Sequence, residues 1–281
     1  MSVRVLPCRQ AAGLLALLLL VAAPAAQGHD FWLSAHRADP AAAPALKLWV
    51  GHHLAAEESR GYTADSTYRL RLFRDRSPLD LSPLGRDGAE PFLTLPASTR
   101  APALVALDRH AVDIALEGPK FDSYLEEEHL QDVLALRRGK AVEGRERYTR
   151  HLKVLVGDGG PQRLHARRTG QALEIVLLDA PRAPAADRTL RAQVLFAGKP
   201  LPGRTLTVLH DADGRFDNDN ARVRTAVTDE KGIATFAYDR PGFWMLRLVH
   251  MVPCQEYCGN ADWRSYWAAF ALQDDWLPAK P

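Results

Sequence analysis

The most constraining feature of the chain is a hydrophobic period of two. In residues 67–74 (Thr-Tyr-Arg-Leu-Arg-Leu-Phe-Arg), Tyr68, Leu70 and Leu72 fall on one side, with Arg69 and Arg71 on the other. That alternation marks a half-buried strand. Related patterns occur at 46–50, 92–95, 103–107, 110–116 and 147–156. Residues 173–178 form a continuous apolar run, expected to be a strand buried on both faces. A helical period is convincing in one place, Phe121 to Arg138. There Ser123-x-x-Glu126 fits a capping box, and Tyr124, Leu125, Val133, Leu134 and Leu136 supply an apolar face. Arg137 and Arg138 suit the negative end of the helix dipole, and Gly139 stands where a C′ glycine belongs. One helix is therefore expected near 123–138. A chain patterned this way buries its apolar residues by packing sheets. The expected class is all-β, with one short helix and two sandwich-like domains.

A domain boundary is expected at a linker over 181–187, where Pro181 and Pro184 interrupt regular structure. Residues 29–180 then form an N-terminal β-rich domain. Residues 188–275 form a β-sandwich of about 90 residues, near the size of an immunoglobulin-like domain. Residues 276–281 are expected to be a tail. In the second half, turn signals at 198–203 and 228–232 separate the strands, and no helical pattern appears.

The first 28 residues have the three parts of an export signal. Arg4 and Arg9 make a positive n-region, Leu14 to Val21 make a short apolar core, and Ala26-Gln27-Gly28 offers small residues for cleavage. A cut after Gly28 places His29 at the mature N-terminus; a cut after Ala26 would leave two residues in front of it. The expected location is periplasmic. No later segment is apolar enough to span a bilayer. The formal charge of +2 includes Arg4 and Arg9. The mature chain is therefore near neutral, with no basic stripe for nucleic acid. Cys254 and Cys258 are the two cysteines left after the cut. An exported protein with this pair is expected to carry a small-loop disulfide.

A mature chain beginning at His29 would offer an α-amine and an imidazole on one residue, a bidentate chelate suited to nickel, copper or zinc. His52 and His53 follow the strand 46–50. Adjacent strand residues point to opposite faces, so one of the pair is expected to face a site. His250 is in phase with Trp244, Leu246 and Leu248 and reads as a core or rim histidine. His110, His129 and His151 read as structural or solvent-facing. The acidic stretch 211–220 lacks the glycine and glutamate of a calcium loop and reads as a solvated turn. There is no Gly-x-Ser-x-Gly, phosphate loop or His-Glu-x-x-His, so the expectation is a protein that is not an enzyme.

Two resemblances refine this reading. The phrases 198–203 (Gly-Lys-Pro-Leu-Pro-Gly), 228–236 (Thr-Asp-Glu-Lys-Gly-Ile-Ala-Thr-Phe) and 241–244 (Pro-Gly-Phe-Trp) resemble a transthyretin-like or carboxypeptidase-regulatory-like module. Four further stretches carry a likeness across the mature chain: His29-Asp30-Phe31-Trp32-Leu33, Gly51-His52, residues 121–128 and residues 147–153. They resemble a bacterial periplasmic family described as the periplasmic component of nickel or cobalt uptake systems. The Cys254–Cys258 segment is not part of that likeness. The resemblance implies a soluble metal-binding protein that presents or buffers nickel or cobalt for a membrane uptake complex. Because Gly51-His52 matches, it favours His52 as the partner of His29. The alternatives are a copper carrier or copper enzyme with a histidine brace, and a non-metal module binding carbohydrate or protein. The last would use aromatic residues such as Trp244, Trp263, Tyr266 and Trp267.

Overall fold

The structure is a computed structural model that describes residues 29–74, 77–137, 142–217 and 221–278. The expected signal peptide and the expected helix end at Arg138 and Gly139 lie outside the described residues, as do 279–281 of the tail. Eight strands precede the helical segment: β1 (Asp30–Arg37), β2 (Ala45–His52), β3 (Ala55–Arg60), β4 (Thr67–Phe73), β5 (Leu79–Asp80), β6 (Leu93–Thr94), β7 (Ala103–Arg109) and β8 (Val112–Leu116). Two helices follow, α1 (Gly118–Glu127) and α2 (Gln131–Arg137). Then come β9 (Gly144–Val156), β10 (Leu173–Leu177), β11 (Thr189–Phe196), β12 (Lys199–Pro200) and β13 (Thr205–Asp211). The last five strands are β14 (Arg222–Val227), β15 (Ile233–Ala237), β16 (Phe243–Pro253), β17 (Trp263–Gln273) and β18 (Leu277–Pro278).

These strands form three sheets in an all-β, sandwich-like fold. A nine-stranded sheet runs β14-β13-β16-β17-β9-β7-β4-β5, with β8 also paired to β9. A second sheet runs β18-β1-β2-β3, with β6 against β2, and a third joins β10, β11, β12 and β15. The period of two explains the stacking. Leu152 and Val154 of β9 enter one core with Leu33 and Leu48 of the second sheet. Leu155 enters another with Ile175 and Val194 of the third sheet. The large sheet is thus buried on both faces, and two sandwiches share it.

The shared sheet and its neighbours run across the expected linker. Residues 181–187 join β10 to β11, which pair with each other in the third sheet, so β10 belongs with the strands that follow it. The halves are also fused by a parallel ladder from Trp263↔Glu146 to Gln273↔Val156. The tail is partly structured too. β18 pairs in parallel with β1, and Trp276 and Leu277 pack on the first core.

The helical region also departs from expectation. α1 starts earlier, at Gly118, with Pro119 in its first turn, where a missing N–H costs no intrahelical hydrogen bond. Ser123 is therefore inside the helix rather than at its cap. The chain breaks after Glu127, and His129 adopts a left-handed φ of 57° before α2 begins. Phe121, Tyr124, Leu125, Leu130 and Val133 pack on Val249, Met251, Trp263 and Trp267 of the large sheet. Met245 belongs to the core under the second sheet. Met245, Arg247, Val249 and Met251 share one side of β16 by alternation. One face of the large sheet is thus covered partly by strands and partly by helices, with Arg247 at the seam.

Residues 211–217 of the acidic stretch form a turn; 218–220 lie outside the described residues. Asp211 Oδ1 accepts the N–H groups of Asp213 and Gly214, each at 3.0 Å, and Oδ2 accepts that of Phe216 at 3.1 Å. This turn drives Phe216 into the core, edge-on to Trp32 and Trp49 at 5.5 and 5.6 Å between centroids. Phe216 also meets Phe243 at 4.7 Å and is 2% exposed. Phe216→Ala is expected to destabilise the protein by about 3–5 kcal/mol, through lost burial and the cavity left behind. Urea unfolding monitored by tryptophan fluorescence checks this.

Candidate metal centre

The candidate site is built at the seam, starting from its floor. Arg247 is buried, at 5% exposure, between two carboxylates. Its Nε lies 2.8 Å from Asp30 Oδ1 of β1, and its Nη1 donates to Glu128 Oε2 just after α1. One guanidinium thus serves two buried acids. Burial pushes the Glu128 carboxyl up to about 7, while Arg247 opposes that rise. Arg247 is itself held above its ordinary value: burial lowers it, but Asp30 and Glu128 together outweigh that burial.

Above the floor is the β2–β3 hairpin. His52 pairs with Ala55, leaving His53 and Leu54 as a two-residue loop. Both loop residues have positive φ, 48° and 68°, as a tight primed turn requires and as non-glycine residues seldom adopt. Gly51 lets the strands close below the turn, since a Cβ there would lie 1.9 Å from the Ala55 carbonyl oxygen. The backbone N–H of His53 donates to Asp30 Oδ2 at 3.0 Å. The loop is therefore tied to the same acid that binds Arg247.

This geometry corrects the expectation that one of the two histidines faces a site. Strand alternation ends at His52, and the left-handed backbone at His53 brings its ring round. The two imidazole centroids lie 3.8 Å apart. Glu127, the last residue of α1, completes the group: nitrogen atoms of His52 and His53 and a Glu127 oxygen lie within 4.8 Å of one another. His52 Nδ1 is 3.5 Å from Glu127 Oε1 and is buried without a hydrogen bond. A buried ring nitrogen left unsatisfied is costly in a purely structural cluster, whereas a metal would use it. Two imidazoles and a carboxylate are a suitable set for a divalent transition metal. Burial and the adjacent His52 ring lower the His53 pKa; Asp30 pulls the other way.

His29 lies at the rim of this group. The β1–β2 ladder pairs Asp30 with Gly51, so one further step puts His29 opposite His52. Its Nε2 lies 3.0 Å from Glu57 Oε2. Glu57 is the extra residue where the β2–β3 register shifts between Val50 and Gly51. The His29 carbonyl accepts from Arg150 Nη1 at 3.1 Å. Arg150 is buried over the rings of Phe31, Trp267 and Tyr148, which anchors the first residues against the large sheet. Both sequence-predicted ligands are thus at one end of the second sheet, with His52 inside the three-residue group and His29 beside it. Sequence reasoning did not bring His53 and Glu127 into the candidate group. Gly51 before a His-His pair was the available signal for a tight turn. The capping-box reading of Ser123-x-x-Glu126 puts Glu126 and Glu127 in the first turn of a helix, whereas they lie at the end of α1.

The remaining histidines, aromatic residues and cysteines singled out in the sequence lie outside this group. His250 is buried, edge-on to Phe196 at 4.5 Å, and burial lowers its pKa to about 4. His151 Nδ1 bonds the buried Asp108 Oδ1 at 2.8 Å, His110 meets Tyr68 edge-on, and His129 is exposed in the break between helices. Trp244, Trp263 and Trp267 are core residues; Tyr266 is half-buried. Cys254 and Cys258 form a disulfide with a Cα–Cα distance of 5.8 Å. Among the described residues, no helix is long and apolar enough to cross a membrane.

A family model described as "Domain of unknown function (DUF4198)" matches residues 26–252. The chain belongs to the DUF4198 family. The matched range contains His29, His52, His53, Glu127 and Arg247, and it stops short of the disulfide. No curated protein matches this DUF4198 chain.

In the metal-free protein, His53 is expected to titrate below the ordinary histidine value. Replacing His52 by Gln removes one like charge and should raise the His53 midpoint. NMR titration of the histidine ring protons checks both the value and the direction.

Proposed function

We propose that the protein is a periplasmic binding protein for a divalent transition metal, with nickel or cobalt as its cargo. The observation that carries this reading is the convergence of His52, His53 and Glu127 around the unsatisfied His52 Nδ1. The three residues are half-buried, so the metal would be held without a closed cage. An open nitrogen and oxygen set suits exchange with an uptake complex better than a closed thiolate site. Binding requires neutral imidazoles, so affinity should rise with pH across the histidine range. The lowered pKa of His53 keeps one ligand ready at neutral pH.

A copper-binding reading draws on a separate observation, that His29 stands one residue beyond the Asp30↔Gly51 pair at the end of the β1–β2 ladder. If export cleavage follows Gly28, the His29 amine and imidazole would sit next to the His52 imidazole. That is the donor set of a histidine brace. Copper also outranks nickel and cobalt in intrinsic affinity for such donors.

Calorimetric titration with nickel, cobalt and copper separates these readings. Under the first, His52→Ala or Glu127→Gln should weaken nickel binding by at least about tenfold. One additional residue before His29 should change it little. Under the copper reading, that additional residue should abolish the tightest copper binding. Nickel affinity unchanged in both ligand variants would refute the three-residue site.

A further inference from the structure

The three candidate ligands come from two elements that share no strand ladder. His52 and His53 lie at the β2–β3 turn, and Glu127 ends α1. Arg247 belongs to a third element, β16, and reaches both. On one side its Nε lies 2.8 Å from Asp30 Oδ1, while Asp30 Oδ2 accepts the His53 N–H at 3.0 Å. On the other side it bonds Glu128, the residue after Glu127. The guanidinium is therefore one side chain away from the His53 backbone and one peptide away from Glu127.

Packing alone does not call for this arrangement. The same-face neighbours of Arg247 on β16, Met245 and Val249, are buried apolar residues. Well-packed apolar side chains often replace a buried ion network with no loss of stability, and such networks can instead specify geometry. The turn also needs external support. His53 and Leu54 hold left-handed backbones, which persist where surrounding structure fixes them.

We propose that Arg247 is the positioning residue of the metal site: through Asp30 and Glu128 it holds the histidine turn and the end of α1 at one separation, and so sets the affinity and coordination geometry of the bound metal. This inference rests on the His52–His53–Glu127 reading. In that role Arg247 acts through Asp30 and Glu128 and not as a ligand. Its planar fork engages two carboxylates at once, which the single ammonium of lysine does not reproduce.

The test uses the full mature chain, nickel(II) titration by calorimetry, and the electron paramagnetic resonance spectrum of the copper(II)-loaded protein as a reporter of geometry. Replacing Arg247 alone strands two buried acids. The principal variant therefore combines Asp30→Asn, Arg247→Met and Glu128→Gln, with near-ultraviolet circular dichroism to verify its fold. Its nickel affinity is expected to fall about 10–100-fold, the range for lost outer-shell support, and its copper spectrum to broaden. Arg247→Lys is expected to fold and to recover part of the affinity. A folded triple variant with wild-type affinity and an unchanged copper spectrum would overturn the proposal. If the triple variant does not fold, Arg247→Lys decides: wild-type affinity and spectrum in that variant overturn the proposal, and weakened binding in the folded protein supports it. A wild-type protein whose nickel binding is indifferent to His52→Ala and Glu127→Gln would instead remove the metal site itself, and this inference with it.

Discussion

The 11 residues of β17 run parallel to β9, and every layer of the molecule is attached to that ladder directly or at one remove. β9 carries β7 and β8 on its other edge, and β17 carries β16. Because successive residues face opposite ways, the same two strands supply both cores and the floor under the helices. Parallel pairs need both faces covered, since a solvated face would expose their apolar residues. The second sheet and α1–α2 cover one face, and the third sheet covers much of the other.

The candidate metal centre follows from how the first face is covered. Neither the second sheet nor the helices span it alone, so a seam runs between them. Charged residues occur along that seam where an uninterrupted core would have apolar ones. Arg150 engages the His29 carbonyl, while Arg247 pairs with Asp30 and Glu128. Both arginines thus fix the beginning of β1 against the large sheet. The hairpin turn and the end of α1 meet above them, bringing His52, His53 and Glu127 together. In this account the first described residues matter in two ways. Asp30 orders the turn from within, and His29 stands at the rim beside Glu57.

Much of the fold was legible from alternation. Residues 67–74 and 147–156 became β4 and most of β9, and the uninterrupted run at 173–178 became the fully buried β10. β3 was not legible. Its sequence, Ala-Ala-Glu-Glu-Ser-Arg, has no apolar alternation, because it is an edge strand whose residues are half-buried or exposed. The pairing between the two halves was not legible, because local patterns report strands but not which distant strands pair. The β9–β17 ladder joins segments more than 100 residues apart and leaves no mark in either. At the site, His52, the last residue of β2, was singled out by the Gly51-His52 likeness. The expectation that only one of the pair faces a site extended strand alternation one residue too far, into a backbone with φ of 48°. Glu127 was hidden by a helix boundary placed too late, which moved an acidic C-terminus to the N-terminal turn.

The central claim is that a divalent metal is held between the β2–β3 turn and the end of α1. Anomalous diffraction from crystals of the mature protein loaded with nickel tests this most directly. The account predicts one strong peak within coordination distance of His52, His53 and Glu127, with Arg247 still bridging Asp30 and Glu128. A fully loaded crystal with its nickel elsewhere, and those three side chains uncoordinated, would contradict it.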